Sequence, residues 1–206
     1  FKVFYDYKKE GIWQLGEEAA AAANGQEPGD IKVQDVDGNG VITTDDRIIY
    51  SQRPDVTFGF NNTFNYKGFD LSVFLYARLG QWIAYDYNTT YRINALENGG
   101  NVDYWTPENP TNAFPRPNKS KSYTQVTYYS TLKYEDGSFF KIRDITLGYT
   151  FKPELLKHLN LSRLRVYATA KNFFTFSKID NYDPEQGGSI SFPMTKQLVF
   201  GLNVEF

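Results

Sequence analysis

Residues 197–206 alternate strictly enough to fix their conformation. Leu198, Phe200, Leu202, Val204 and Phe206 share one parity; Gln197, Gly201, Asn203 and Glu205 share the other, with Val199 the exception. A period of two puts apolar side chains on one face of a strand and polar ones on the opposite face. The run reaches Phe206 with no polar tail after it, and a soluble sheet rarely stops on an exposed aromatic. A strand that crosses a membrane needs about ten such residues, apolar toward lipid and polar toward a water-filled lumen.

The same pattern recurs along the chain. Phe1–Tyr7 reads as a strand. Val56, Phe58, Phe60, Phe64 and Tyr66 alternate with Thr57, Gly59, Asn61, Thr63 and Asn65, and Lys67-Gly68 turns the chain. The return run sets Phe69, Leu71, Val73, Leu75, Ala77 and Leu79 against Asp70, Ser72, Tyr76 and Arg78. Further strands are expected over 139–151 and 163–174, and the run at 197–206 makes a sixth. Three long connections, 8–55, 80–138 and 175–195, alternate with two short ones at 67–68 and 152–162. Short turns on one side and long loops on the other are the rule for an up-and-down barrel in an outer membrane. Aromatics gather at the short-turn ends (Tyr66, Phe69, Tyr149, Phe151, Phe206), as an interfacial girdle requires. The expected fold is therefore all-β, an antiparallel up-and-down transmembrane β-barrel segment. Six strands cannot close, since the smallest membrane barrels have about eight, so a larger barrel is expected.

Within the long connections the sequence predicts a short helix over 17–23, stopped by Asn24-Gly25, and a hairpin arm over 123–134. The short link carries a helical turn begun by Pro153. Net charge is −2 and the pI about 5.5, which gives no electrostatic footprint for nucleic acid. No apolar run is long enough for a membrane helix. Without cysteine there is neither a disulfide framework nor thiol chemistry. The chain begins without Met, in a strand-like run with no signal peptide, so an internal fragment of a longer protein is expected.

Several segments resemble SusC/RagA-type TonB-dependent outer-membrane transporters. They are Gly29-Asp30-Ile31-Lys32 with Asp35 to Ile42 and Asp45-Asp46-Arg47, then Tyr66 to Ser72, Tyr104 to Pro110 and Phe114 to Pro117. Ile142 to Tyr149, Asn172 to Phe176 and Tyr182 to Glu185 follow in the same order as in that family. The resemblance implies the C-terminal part of a plugged barrel of about 22 strands in a Bacteroidetes outer membrane. It implies TonB-dependent uptake of oligosaccharides or peptides, with a SusD-like surface lipoprotein as lid. The plug and the TonB-contacting segment of such proteins have no counterpart here, so energy coupling falls to parts outside this chain.

Asp35-Val36-Asp37-Gly38-Asn39-Gly40-Val41-Ile42-Thr43-Thr44-Asp45-Asp46 has the spacing of a twelve-residue calcium loop. Its oxygen donors would be Asp35, Asp37, Asn39, the Val41 carbonyl, Thr43 and Asp46, with Gly40 at the sharp turn and Ile42 as the inward anchor. Asp46 stands where such loops carry a bidentate Glu, and no long helices flank it. An Asx- and Gly-rich turn without metal gives the same spacing. A bound Ca2+ would stiffen a long loop.

Trp82, Tyr85, Tyr87, Tyr91, Tyr104, Trp105 and Phe114 crowd the second long loop. Flat rings of this kind serve solute stacking, packing and partner contact alike, and Trp82, Tyr85, Tyr87, Tyr104 and Trp105 are the candidate substrate contacts. Arg78, Arg163, Arg165 and Lys171 fall on lumen-facing parities and could steer an anionic solute. His158 is the one histidine, placed in the short link, so common zinc cages and two-His sites are excluded. No nucleophile-elbow or phosphate-loop pattern occurs, and the chain is not read as an enzyme. Asp183 and Glu185 have no partner that the sequence identifies. Two other readings compete: a secreted, calcium-stabilised soluble β module that binds glycan or protein, and a glycan-cleaving enzyme with two carboxylates about 5–9.5 Å apart.

Overall fold

The computed structural model describes residues 3–94 and 99–206. The chain forms two compact units. One comprises Pro54–Gln81, Asp136–Gln186 and Ser191–Phe206; the other comprises Phe1–Arg53, Trp82–Glu135 and Gly187–Ile190.

The first is built on five antiparallel strands: β1 (Val56–Tyr66), β2 (Phe69–Leu79), β3 (Phe139–Thr150), β4 (Arg163–Ser177) and β5 (Gln197–Glu205). Each pairs with its neighbours in chain order, so the sheet is a meander. Lys67 and Gly68 both have positive φ, 49° and 91°, the backbone of a two-residue turn that matches strand twist. A Cβ on Gly68 would sit 2.8 Å from the Thr150 carbonyl oxygen, which leaves glycine as the fitting residue. The link from β3 to β4 holds the expected helical turn, Pro153–Leu156, with Leu156 buried beneath it. His158 falls in the 3-10 turn that follows, and its side chain lies outside the described ones.

Register decides the faces. Tyr66, Phe69, Tyr149, Val166 and Leu202 form one cross-strand row. Phe64, Leu71, Leu147, Ala168 and Phe200 form the next. Asn62, Val73, Ile145, Ala170 and Leu198 follow, and Asn62 is the one polar member. Two bulges then enter, leaving Arg143 out of the ladder on β3 and Asn172-Phe173 out on β4. Asn172 adopts φ 58°, as a bulge residue does. The bulges keep the parities aligned, because Phe60, Leu75, Ile142 and Phe174 resume the apolar face and Phe58, Ala77, Phe140 and Phe176 extend it. This face is turned outward: Phe200 is 74% exposed and Leu202 68%. The Phe69 and Tyr149 rings lie 4.6 Å apart and Tyr149 and Phe151 5.1 Å apart, so the expected aromatic cluster forms at the short-turn end.

The opposite face is polar and its glycines are covered. Asp70, Gly148 and Tyr167 stand in one row. The Arg165 guanidinium reaches over Gly148 to Asp70, donating from Nε at 2.9 Å and from Nη2 at 2.5 Å. The Tyr167 ring lies over Gly201, where a Cβ would come within 2.2 Å of it.

Three expectations are corrected. Val3–Tyr7 is a strand, but it pairs with Arg47–Ser51 in the other unit, so the sheet has five strands and not six. Phe1 and Lys2, the start of that expected strand, lie outside the described residues. Residues 123–134 form two 3-10 turns, Tyr123–Gln125 and Tyr129–Lys133, in place of a hairpin arm; the side chain of Thr131 caps its own turn by donating to the Tyr128 carbonyl. β4 runs on to Ser177, because Phe174 and Phe176 find cross-strand partners in Ile142 and Phe140, so the third long connection starts at residue 178.

The other unit folds the first two long connections together. Ile12, Ile31, Val33, Trp105 and Leu132 make its buried core, with Ile42, Phe114 and Tyr129 packed against them. A short helix, Glu18–Ala23, buries Ala21 and ends at Asn24. Asn112 accepts the Ile12 N–H at 3.0 Å, and the Trp105 indole donates to Gln14 at 2.8 Å. These loops therefore carry a core of their own.

Gly148→Ala tests the cross-strand bond. The new Cβ would meet Arg165 and Asp70 atoms at 2.5 Å, so the full barrel in detergent should lose about 1–3 kcal/mol in urea unfolding. Gly59→Ala, where the nearest ring atom is 3.7 Å away, should be neutral or stabilising. Equal effects at both positions would contradict the packing described.

Candidate functional site

Two features carry chemistry: the polar face of the sheet and the acidic loop at 35–46. On the polar face three of the four cations expected to steer an anionic solute have an acidic partner. Arg165 holds Asp70, Arg163 lies 3.1 Å from Glu205, and Lys171 lies 3.8 Å from Asp144. Arg78 donates to the Tyr76 hydroxyl at 2.8 Å. Thr146 and Thr169 share a hydroxyl contact at 2.8 Å. The face is thus a lattice of mostly paired charges and hydroxyls, with Arg78 as the cation held by a neutral phenol, and it suits lining water.

Above the bulges the compensation involves a loop. Lys141 has a side chain with no exposed surface, and its ammonium lies 2.6 Å from Asp183 and 2.8 Å from Glu185. Arg143 reaches the other oxygen of Glu185 at 3.2 Å. These are the partners of Asp183 and Glu185 that the sequence did not reveal. The bulge at Arg143 conceals them, since it resets which parity of β3 is polar and so turns Lys141 to the face where the two acids arrive.

The acidic loop folds around its own carboxylates. Asp35 accepts the N–H groups of Gly38 at 2.8 Å and Gly40 at 2.7 Å. Asp46 accepts those of Val36 and Thr43, both at 2.7 Å. Asp46 is fully buried, and Asp35, Asp37 and Asp46 present oxygens within 4.8 Å of one another. The N–H donors, that of Thr43 foremost, hold the Asp46 carboxyl below its ordinary pKa. Ile42 packs on the core cluster and its N–H donates to Asn24 at 3.1 Å, as an inward anchor should. Asn39 accepts the Val41 N–H and Thr43 caps the 3-10 turn Thr44–Asp46, so the oxygens of Asn39 and Thr43 are engaged locally.

The aromatic candidates divide by burial. Trp105 is 4% exposed at the centre of the core, and Tyr85 and Tyr91 are equally buried. Tyr91 donates to the Pro115 carbonyl at 3.0 Å and packs on Phe114. Trp82 stands edge-on to Tyr50 at 4.9 Å. Tyr87 is half-buried beside Tyr85, and Tyr104 is exposed. Tyr104 is exposed and Trp82 and Tyr87 are half-buried, whereas Trp105, Tyr85 and Tyr91 are enclosed by packing.

No family profile matches the chain. It is 31% identical to TonB-dependent receptor P3 of Formosa agariphila across 98% of its own length, and this covers 22% of that protein. It is likewise 31% identical to the TonB-dependent receptor SusC of Bacteroides thetaiotaomicron, across 84% of this chain and 17% of SusC. Among solved structures, that of the RagAB peptide transporter superposes over the whole chain with a TM-score of 0.72 at 24% identity, covering 23% of the matched chain. The RagAB peptide importer in its closed-closed state gives a TM-score of 0.68 over 98% of this chain. The chain thus spans about a fifth of the length of the relatives it matches. Its outward apolar face, its meander register and these likenesses together place it in the SusC/RagA family of TonB-dependent receptors.

Proposed function

We propose that the protein imports a nutrient solute across an outer membrane, and that this chain supplies part of the barrel wall, its lumen lining and external loops. One observation carries the reading. Five paired strands of 9 to 15 residues expose a continuous apolar face and keep their ions on the opposite side. A soluble module would bury that face. In hydrocarbon each backbone N–H and C=O must be paired, which a closed barrel achieves and an open sheet does not. β1 and β5 each have one partner among the described residues, so strands from outside this chain would complete the wall.

The family supports the remaining parts of the proposal. Oligosaccharides or peptides are the solute classes, and RagAB, the matched structure, is described as a peptide transporter. A SusD-like surface lipoprotein would close over the external loops, and the TonB complex would act through parts outside this chain. Membrane lipid is the partner of the apolar face. Trp82, Tyr87 and Tyr104 are the ring candidates for solute or lid contact. The matched relatives are receptors and transporters, and no catalytic step is proposed.

The acidic loop is proposed as a Ca2+ site that stiffens the first long connection. Three carboxylates within 4.8 Å repel one another, and a hard cation would offset that repulsion. The N–H groups on Asp35 and Asp46 leave lone pairs free, because an ionised carboxylate accepts at about four positions. Asp35, Asp37 and Asp46 are the ready donors; the Val41 carbonyl, Asn39 and Thr43 would complete the set.

Three outcomes are expected. Leu202→Arg in the full transporter should cost about 2–4 kcal/mol if that residue lies near the bilayer midplane, and Asn203→Arg far less. Equal costs would refute the assignment of faces. Millimolar Ca2+ should slow hydrogen exchange across 35–46, and Asp37→Ala should remove that effect while leaving the sheet unchanged; exchange indifferent to Ca2+ would refute the metal. pH acts separately, without metal. The folded pKa of Asp46 is depressed, so its stabilising contribution is complete above its unfolded pKa of about 3.9 and is lost as pH falls through the lower folded value. Protection of the Val36 and Thr43 amides should therefore persist from pH 7 to about 5 and fail only in stronger acid. Loss near neutral pH would contradict the bonding described.

A further inference from the structure

The segment 178–186 is fastened to the polar face of the sheet by buried charge. Lys141 stands between Tyr76 and Thr175 in its cross-strand row, with its side chain fully covered. Asp183 and Glu185 close on it, Arg143 completes the second acid, and Thr175 donates to Asp183 at 3.4 Å. Two cations thus meet two anions. Within the segment, the Glu185 N–H donates to Asp183 at 3.0 Å, Pro184 is buried, and the Ser177 hydroxyl donates to the Ile179 carbonyl at 2.8 Å. A buried set of this kind holds only if every member stays paired. Removing Lys141 would leave two largely buried acids with one cation, and the segment would lift off toward water.

Beside this fastening lies a cavity of about 270 Å3. Asn172, Thr175, Asp180 and Asn181 contribute amide, hydroxyl and carboxylate groups, Phe173 a ring, and Lys196 an ammonium. Asn172 is fixed at its bulge by donating to the Thr195 carbonyl at 3.2 Å. Amide and carboxylate oxygens accept from hydroxyls, the amide and ammonium groups donate to them, and a ring face takes an apolar ring face. Asp183 is matched by Lys141, and Asp180 and Lys196 carry opposite charges, so the lining has no net charge to draw an ionic solute; it is more polar than apolar, which suits hydroxyls better than an apolar peptide side chain.

We propose that this cavity is a subsite for an uncharged sugar ring, and that Lys141 is the positioning residue that keeps it in shape. The proposal rests on the import reading and narrows its solute class. It is tested in the full-length transporter in detergent with Met194→Cys as a thiol reporter, because Met194 lines the cavity without offering it a hydrogen-bonding group and this chain has no cysteine of its own. The labelling rate would be read with neutral oligosaccharides from starch, xylan and galactan, with oligogalacturonides, and with casein peptides. A neutral pool at about ten times its Kd should slow labelling about tenfold. Lys141→Met should abolish that protection and raise hydrogen exchange over 178–186 while β1–β5 stay protected; Lys141→Arg should retain both. No slowing by any neutral pool, or equal slowing by oligogalacturonides or peptides, would overturn the subsite. Protection unchanged in Lys141→Met would overturn the positioning role. Labelling is read without uptake, so the two readings separate: protection without uptake by cells contradicts import, and uptake without protection contradicts the subsite.

Discussion

The register of the five-stranded ladder is the constraint on which the rest depends. In hydrocarbon no water satisfies a stray N–H or C=O, so a wall must be paired strand to strand throughout. Side chains have a period of two, and a slip of one residue would exchange the faces of an entire strand. The three inner strands are paired on both sides with their faces in register, and among the described residues the outer edges of β1 and β5 have no partner. The rows join Tyr66 to Leu202 and Phe64 to Phe200 across all five strands, and every ion pair of the wall falls on the other side. The two bulges belong to the same requirement. They take up surplus residues where β3 and β4 would otherwise lose step, and the apolar face continues beyond them through Ile142 and Phe174.

The polar face follows from this register. Gly148 and Gly201 sit opposite the residues that need room, so Arg165 can span a strand to reach Asp70 and Tyr167 can lie flat. A glycine weakens a strand by itself, and here the bond or ring that covers it compensates. Lys141 reaches Asp183 and Glu185 only because the bulge at Arg143 turns it to that side. Local backbone irregularity thus fixes which side chains can meet, and through them where a loop is anchored.

Much of this was legible in the sequence. Strict alternation made β1, β2 and β5 readable almost to the residue, and Lys67-Gly68 marked its own turn. The short link announced itself through Pro153. A period of two names a strand but not its partner, so the pairing of Val3–Tyr7 with Arg47–Ser51 is not legible in the sequence. The end of β4 is hidden because the bulge at Asn172-Phe173 interrupts the alternation before it resumes toward Ser177. The acidic loop was legible because its spacing is local. The Lys141 cluster was not, because its members lie 42 and 44 residues apart and no local pattern joins them. The aromatics of the second long connection gave their number but not their burial, which depends on a core assembled from residues 12 to 132.

The most direct test of the central claim is a nitroxide scan of β5, residues 197 to 205, in the full protein in a lipid bilayer, comparing collision with oxygen and with a water-soluble nickel chelate. The account predicts oxygen maxima at Leu198, Phe200, Leu202 and Val204 and chelate maxima at Gln197, Gly201, Asn203 and Glu205. If the apolar positions were reached by neither reagent, they would be buried in a protein core and the membrane wall would be wrong; if both reagents reached every position alike, the strand would not separate lipid from water at all.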